Sequence, residues 1–161
     1  MIVESPDPSA VDRLTDYWVD LATEQRDHDS HLVAEGNRAE MRERIGRAIV
    51  SDNVRVARYE DDGIVGFVMF DVELGSLATV RTRGLVHNIY VEPAYRGEGV
   101  GSELLAAAER ELADRGVETI TLEVMAGNEA ARRFYRQHGY DAHRVALEKP
   151  VENDTHSKEN K

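Results

Sequence analysis

The chain has 161 residues, 41% of them hydrophobic, enough for one domain with its own core, and no cysteine, which excludes disulfides, a thiol nucleophile and thiolate metal sites. Its 31 Asp and Glu against 20 Lys and Arg leave a net charge of -11, spread along the whole chain, so the basic face a nucleic-acid partner requires is missing. No run approaches the ~18 apolar residues of a membrane span, and residues 1–6 carry no signal-like region, so the expected setting is cytoplasmic with no membrane partner.

In chain order, 1–5 reads as a short strand and 6–9 as a turn with a helix cap at Ser9. Val11, Leu14, Trp18, Leu21 and Ala22 recur at helical spacing and predict a helix to about Gln25; 27–37 is a polar loop. Met41, Ile45 and Ile49 predict a second helix over 38–50. A strand from Val54 and another over 64–72 flank Asp62-Gly63, a hairpin signal, and 74–82 is a loop. A strand over 84–91 leads through a Gly-rich turn into a helix over 100–115, which Gly116 stops. A strand over 119–125, a helix over 128–138 and a last strand over 145–147 follow. The expected division is a domain over 1–150 and a polar tail over 151–161.

The densest chemical signal is the succession of strand, glycine turn and helix start in 86–102. Glycines let several N–H groups face one concavity, and a helix N-terminus adds partial positive charge, so a phosphate can be held there without lysine. Tight strand-to-helix turns also require glycine for steric reasons alone. A P-loop needs Gly-Lys-Ser or Gly-Lys-Thr where Gly101-Ser102-Glu103 stands, and Gly97, Gly99 and Gly101 lack the dinucleotide spacing.

This segment resembles the coenzyme A signature of the GCN5-related N-acetyltransferases (GNAT family): Arg or Gln, two residues, Gly, one residue, Gly or Ala. Arg96, Gly99 and Gly101 match it. The family's second segment is matched by Asn128, Ala131, Phe134, Tyr135, Gly139 and Tyr140. The resemblance implies an α/β (α+β) fold with a mixed, mostly antiparallel sheet, helices on both faces, and a splay between strands 4 and 5. It implies that a bulge in strand 4 frees main-chain groups at Ile89, Tyr90 and Val91, with the amides of Ile89 and Val91 taking the acetyl carbonyl and the pantetheine arm. The N–H groups of Gly97, Glu98, Gly99, Val100, Gly101 and Ser102, beside Arg96, would take the diphosphate. Acetyl-coenzyme A is then the acyl-donor substrate, with no metal.

Tyr135 matches the family's tyrosine that protonates the departing thiolate, although a tyrosine there also fills the helix face. Glu123 falls five residues before Asn128, where the branch acting on N-terminal amines carries a glutamate base; it also reads as a solvated strand residue. His87, Glu92 and a water chain are the alternatives. Asn128 is expected at the coenzyme and as a helix N-cap. Arg132, Arg133 and Arg136 form a solvated basic face or touch the adenosine 3'-phosphate, and His28-Asp29-Ser30-His31 reads as a polar loop rather than a metal site.

In this family the acceptor lies against the first two helices, where Asp20, Glu24, Asp27, Asp29, Glu35, Glu40 and Glu43 would attract a cationic amine, protein-borne or small. The expected activity is direct acetyl transfer to a primary amine; a non-catalytic acetyl-coenzyme A-binding regulator is the alternative. A homodimer is the common arrangement for small enzymes.

Overall fold

The structure is a computed structural model and describes residues 1–75 and 77–151, so the expected tail lies outside it except for Val151. Its elements are β1 (Ile2–Glu4), α1 (Val11–Arg26), α2 (Arg38–Val50), β2 (Val54–Tyr59), β3 (Gly63–Val72), β4 (Arg83–Val91), α3 (Val100–Asp114), β5 (Thr119–Leu122) and α4 (Glu129–Gln137). The strands lie side by side in chain order, antiparallel throughout except for the parallel pair β4 and β5. The expected mixed sheet is therefore present.

Side chains alternate between the faces of a strand, and that alternation divides the core in two. Phe67, Met69 and Tyr90 pack with Leu14, Trp18 and Ile45 from α1 and α2. Val65, Val68, Phe70 and Val86 pack with Leu104, Leu105 and Leu112 of α3 on the other face, and Phe134 and Tyr135 of α4 lean against that group. Each fully buried leucine or phenylalanine contributes about 1.5–3 kcal/mol, which fixes the helices to the sheet far more firmly than the surface ion pairs do.

Two features of β4 shape the site. Met69 faces Asn88 while Phe70 faces Val86, so His87 is an extra residue, a bulge that bends the strand. β5 pairs only with residues 83–86 of β4, and beyond Val86 and Leu122 the two strands part. The expected splay is this separation.

Three expectations need correction. The strand expected over 119–125 stops at Leu122, because its single neighbour bends away and a strand without a partner leaves its main-chain groups unpaired. The strand expected over 145–147 is absent: residues 141–151 have no regular structure, and Val145 and Leu147 are 79% and 91% exposed, so neither pairing nor burial favours an extended ladder there. Ser9 does not cap α1. Asp7 instead accepts the Ser9 N–H at 2.8 Å and caps a short 3-10 turn over Pro8–Ala10 that runs into the helix.

Candidate active site

The glycine turn adopts the geometry its sequence suggests. Gly97 and Gly99 have φ of 81° and 87°, a left-handed conformation other residues rarely take, and a side chain at either would point into open space. Gly101 instead lies close to its neighbours: a Cβ there would lie 3.4 Å from Phe134 Cζ and 3.9 Å from Val91 Cγ2, packing distances that still admit a methyl group. That contact joins α3, α4 and β4 at one point. None of the N–H groups of residues 97–102 has a hydrogen-bond partner among the described residues, which leaves the start of α3 as a row of free donors.

A second row lies on β4. Glu92 N–H donates to the Val65 carbonyl of β3 at 2.8 Å, so strand alternation turns the Tyr90 N–H toward β3 and those of Ile89 and Val91 to the opposite side, where β5 has ended. Arg96 Nε donates to the Val91 carbonyl on that open side at 2.7 Å. Its guanidinium also donates to Glu24 Oε1 at 2.8 Å and lies 5.2 Å from the centre of the Tyr90 ring. Arg96 therefore fastens the turn to β4 and to α1. Tyr90 stands apart from its neighbours: its ring is buried on the α1 side, while Ile89 and Val91 pack toward α3.

On α4, Asn128 Oδ1 accepts the Ala131 N–H at 3.1 Å, which is the N-cap role. Tyr135 is half-buried between Phe134 and Tyr140, ring centres 5.2 Å and 6.0 Å away, and its hydroxyl has no hydrogen-bond partner among the described residues. Burial pushes that hydroxyl up to about 12, so it stays protonated across the neutral range. His138, at the end of α4, reaches Ser102 Oγ with Nε2 at 2.9 Å. Arg132 is held by the Ala126 carbonyl at 3.1 Å and by Glu129 at 3.3 Å.

The candidate bases are distributed around the splay. Glu123 and His87 each stand one residue beyond the last β4–β5 pair, and both are exposed; Glu92 directly follows the far end of β4. His31 of the α1–α2 loop meets Glu148 at 3.0 Å, and among the described residues no group of three or more His, Asp or Glu could hold a metal ion.

The acidic rim is partly neutralised from within. Glu24 pairs with Arg96, Glu35 with Arg38 at 2.7 Å, and Glu40 with Arg44 at 3.1 Å. Asp16, Asp20 and Glu24 follow one another at helical spacing along α1, and Arg38 holds Asp16 at 2.5 Å. Asp20 is in no ion pair among the described residues. Partial burial and then the carboxylates of Asp16 and Glu24 raise its carboxyl above the usual range.

The model of the Acetyltransferase (GNAT) family matches residues 10–140, which takes in both rows of donors and α4. The chain belongs to the GNAT acetyltransferase family. Among curated GNAT relatives it is similar to an uncharacterized N-acetyltransferase of Archaeoglobus fulgidus, 36% identical over 84 residues, 52% of this chain and 56% of that protein. It is also similar to the ribosomal protein bS18-alanine N-acetyltransferase of Haemophilus ducreyi, 29% identical over 51% of this chain and 52% of that protein. The chain thus spans about half the length of the first two relatives named. Among solved structures, the BH1408 protein of Bacillus halodurans shares the fold, with a TM-score of 0.83 at 17% identity over 94% of this chain and 99% of that one. A putative acetyl transferase of Pyrococcus furiosus gives a TM-score of 0.64 at 25% identity, over 86% of this chain and 95% of that one.

Two contacts at this GNAT site have no local sequence signal. The Arg96–Glu24 pair joins residues 72 apart, and the His138–Ser102 pair joins residues 36 apart.

Proposed function

We propose that the chain transfers the acetyl group of acetyl-coenzyme A directly to a primary amine on a cationic acceptor, either a protein amine or a small molecule. The observation that carries this reading is the convergence of two rows of unengaged N–H groups, residues 97–102 and Ile89 with Val91, on the contact between Gly101, Val91 and Phe134. The first row suits a diphosphate at a helix N-terminus. The second suits a carbonyl oxygen on which negative charge develops.

In the transfer, the amine nitrogen attacks the thioester carbonyl carbon, and the carbonyl electron pair moves to oxygen, where a β4 amide donates to it. As that pair returns, the C–S bond breaks and the thiolate takes the Tyr135 hydroxyl proton. The proton lost by the amine passes to Glu123, His87, Glu92 or water, and solvent restores the tyrosine. Burial keeps the Tyr135 hydroxyl protonated across the neutral range, so the proton is in place, and its raised value makes the transfer depend on a direct hydrogen bond to the departing sulfur. A protein α-amine, near 8, asks less of the base than a lysine, near 10.4. The named bS18-alanine relative is consistent with an α-amine acceptor.

Thiol release from acetyl-coenzyme A across a panel of amines tests the activity, with mass spectrometry to identify the acetylated product. Tyr135→Phe should lower turnover about tenfold or more and leave coenzyme affinity nearly intact. An equal loss of both would make Tyr135 a packing residue. Coenzyme binding with no release on any amine would favour a regulator.

A further inference from the structure

Ser102 is the one hydroxyl-bearing side chain in the free-donor turn, and it is tied to α4. His138 Nε2 lies 2.9 Å from Ser102 Oγ, and His138 Nδ1 lies 2.8 Å from the Phe134 carbonyl oxygen. A carbonyl oxygen only accepts, so Nδ1 carries the proton. In the neutral ring Nε2 is then an acceptor, and Ser102 spends its O–H on it. The hydroxyl is left with lone pairs to offer whatever docks at the helix start, which opposes an anion.

A second proton on the ring reverses this bond. Nε2–H then donates to Ser102 Oγ, and the hydroxyl hydrogen is released to donate elsewhere, with a positive charge behind it. We propose that His138 is a proton-dependent positioning residue for the carrier's diphosphate: diphosphate binding at 97–102 takes up a proton at His138, and Ser102 passes the change to the ligand. This rests on the coenzyme reading of that turn and adds a pH control within it.

The charged surroundings are mixed. The carboxylates on the turn and α3 are Glu98, Glu103 and Glu109, with Glu109 already accepting the Tyr140 hydroxyl at 2.8 Å. The cations on α4 are Arg133 and Arg136, while Arg132 is engaged by Ala126 and Glu129 and Tyr135 is uncharged. A bound diphosphate adds negative charge next to Ser102, and added negative charge favours a protonated imidazole. Ser102 and His138 are both half-buried, so protons can reach the pair.

The test uses 3'-dephospho-coenzyme A, whose diphosphate keeps its charge while an imidazole titrates. Its affinity for the unaltered chain should fall about tenfold between about pH 5.5 and about pH 8.5, the scale of one charge-assisted hydrogen bond. Calorimetry near neutral pH in two buffers of different ionisation enthalpy should show proton uptake. His138→Gln should flatten the profile and abolish the uptake, and Ser102→Ala, which keeps the ring but removes the hydroxyl, should shrink the slope.

A flat profile for the unaltered chain, or a full slope in either variant, overturns the inference while the coenzyme reading stands. Failure of the unaltered chain to bind at any pH overturns both. If His138→Gln does not fold, Ser102→Ala and the uptake measurement decide.

Discussion

Asp20 follows Asp16 by one turn of α1 and precedes Glu24 by another, and both neighbours are already paired, with Arg38 and Arg96. Partial burial and these carboxylates raise its carboxyl, while Arg38 pulls the other way. A raised carboxyl means the fold disfavours the charged form, so the stability Asp20 contributes is present in acid and lost as pH rises through its folded value. Asp20→Asn should therefore raise Tm slightly near neutral pH and leave it unchanged in acid, as thermal unfolding at the two pH values would show. The same change should raise KM for a cationic acceptor about fivefold with kcat little altered. An unchanged KM would remove Asp20 from the acceptor side. Arg96, Gly99 and Asn128 were legible in the sequence because their motifs are local. Their partners were not: nothing in the motif around Arg96 indicates that it reaches Glu24, and His138 precedes the helix-stopping Gly139 with no feature pointing toward Ser102.

At the scale of elements, the site depends on how closely α4 approaches the start of α3. A Cβ at position 101 would already touch the Phe134 ring at 3.4 Å, so the further carbons of a branched side chain would press against it. Gly101→Val should cost about 1–3 kcal/mol, the usual penalty for overpacking, and weaken coenzyme binding as well. Urea unfolding and a coenzyme titration would measure the two effects, and unimpaired binding would show that α4 can retreat without disturbing the donors. The four helices were readable because their apolar positions recur with the turn of a helix over several turns. The strands after α3 were less so, since strand formation depends on a partner that the segment itself does not specify. Leu122 ends β5 because β4 has bent away, and the alternation of Val145 and Leu147 has nothing to pair with.

For the whole molecule, a net charge of -11 sets two responses to salt against each other. Raising salt from about 0.1 M to about 1 M shortens the Debye length from about 10 Å to about 3 Å, which relieves self-repulsion and also weakens attraction of a cationic acceptor. Tm should rise, and KM for the acceptor should rise with it, while coenzyme binding through main-chain donors changes less. A Tm that falls with salt would mean that ion pairs such as Arg55 with Glu111, at 3.1 Å, outweigh the repulsion. The order of strands and helices implies a mixed sheet with helices on both faces, whereas which carboxylates stay unpaired depends on long-range neighbours such as Arg38 for Asp16.

Removing His87 would leave every other residue of β4 opposite its present β3 partner and on its present face, since the strand is one residue too long only at that point. The shortened protein should be a tidier object, its fourth and fifth strands free to zip together where they now diverge. It should melt no earlier and bind no carrier, because the amides of Ile89 and Val91 would be consumed by the repair. Thermal unfolding with a coenzyme titration would show this, and a deletion that still bound would mean the gap has another origin. The irregularity is then the working part: a flawless ladder here would be a sealed one.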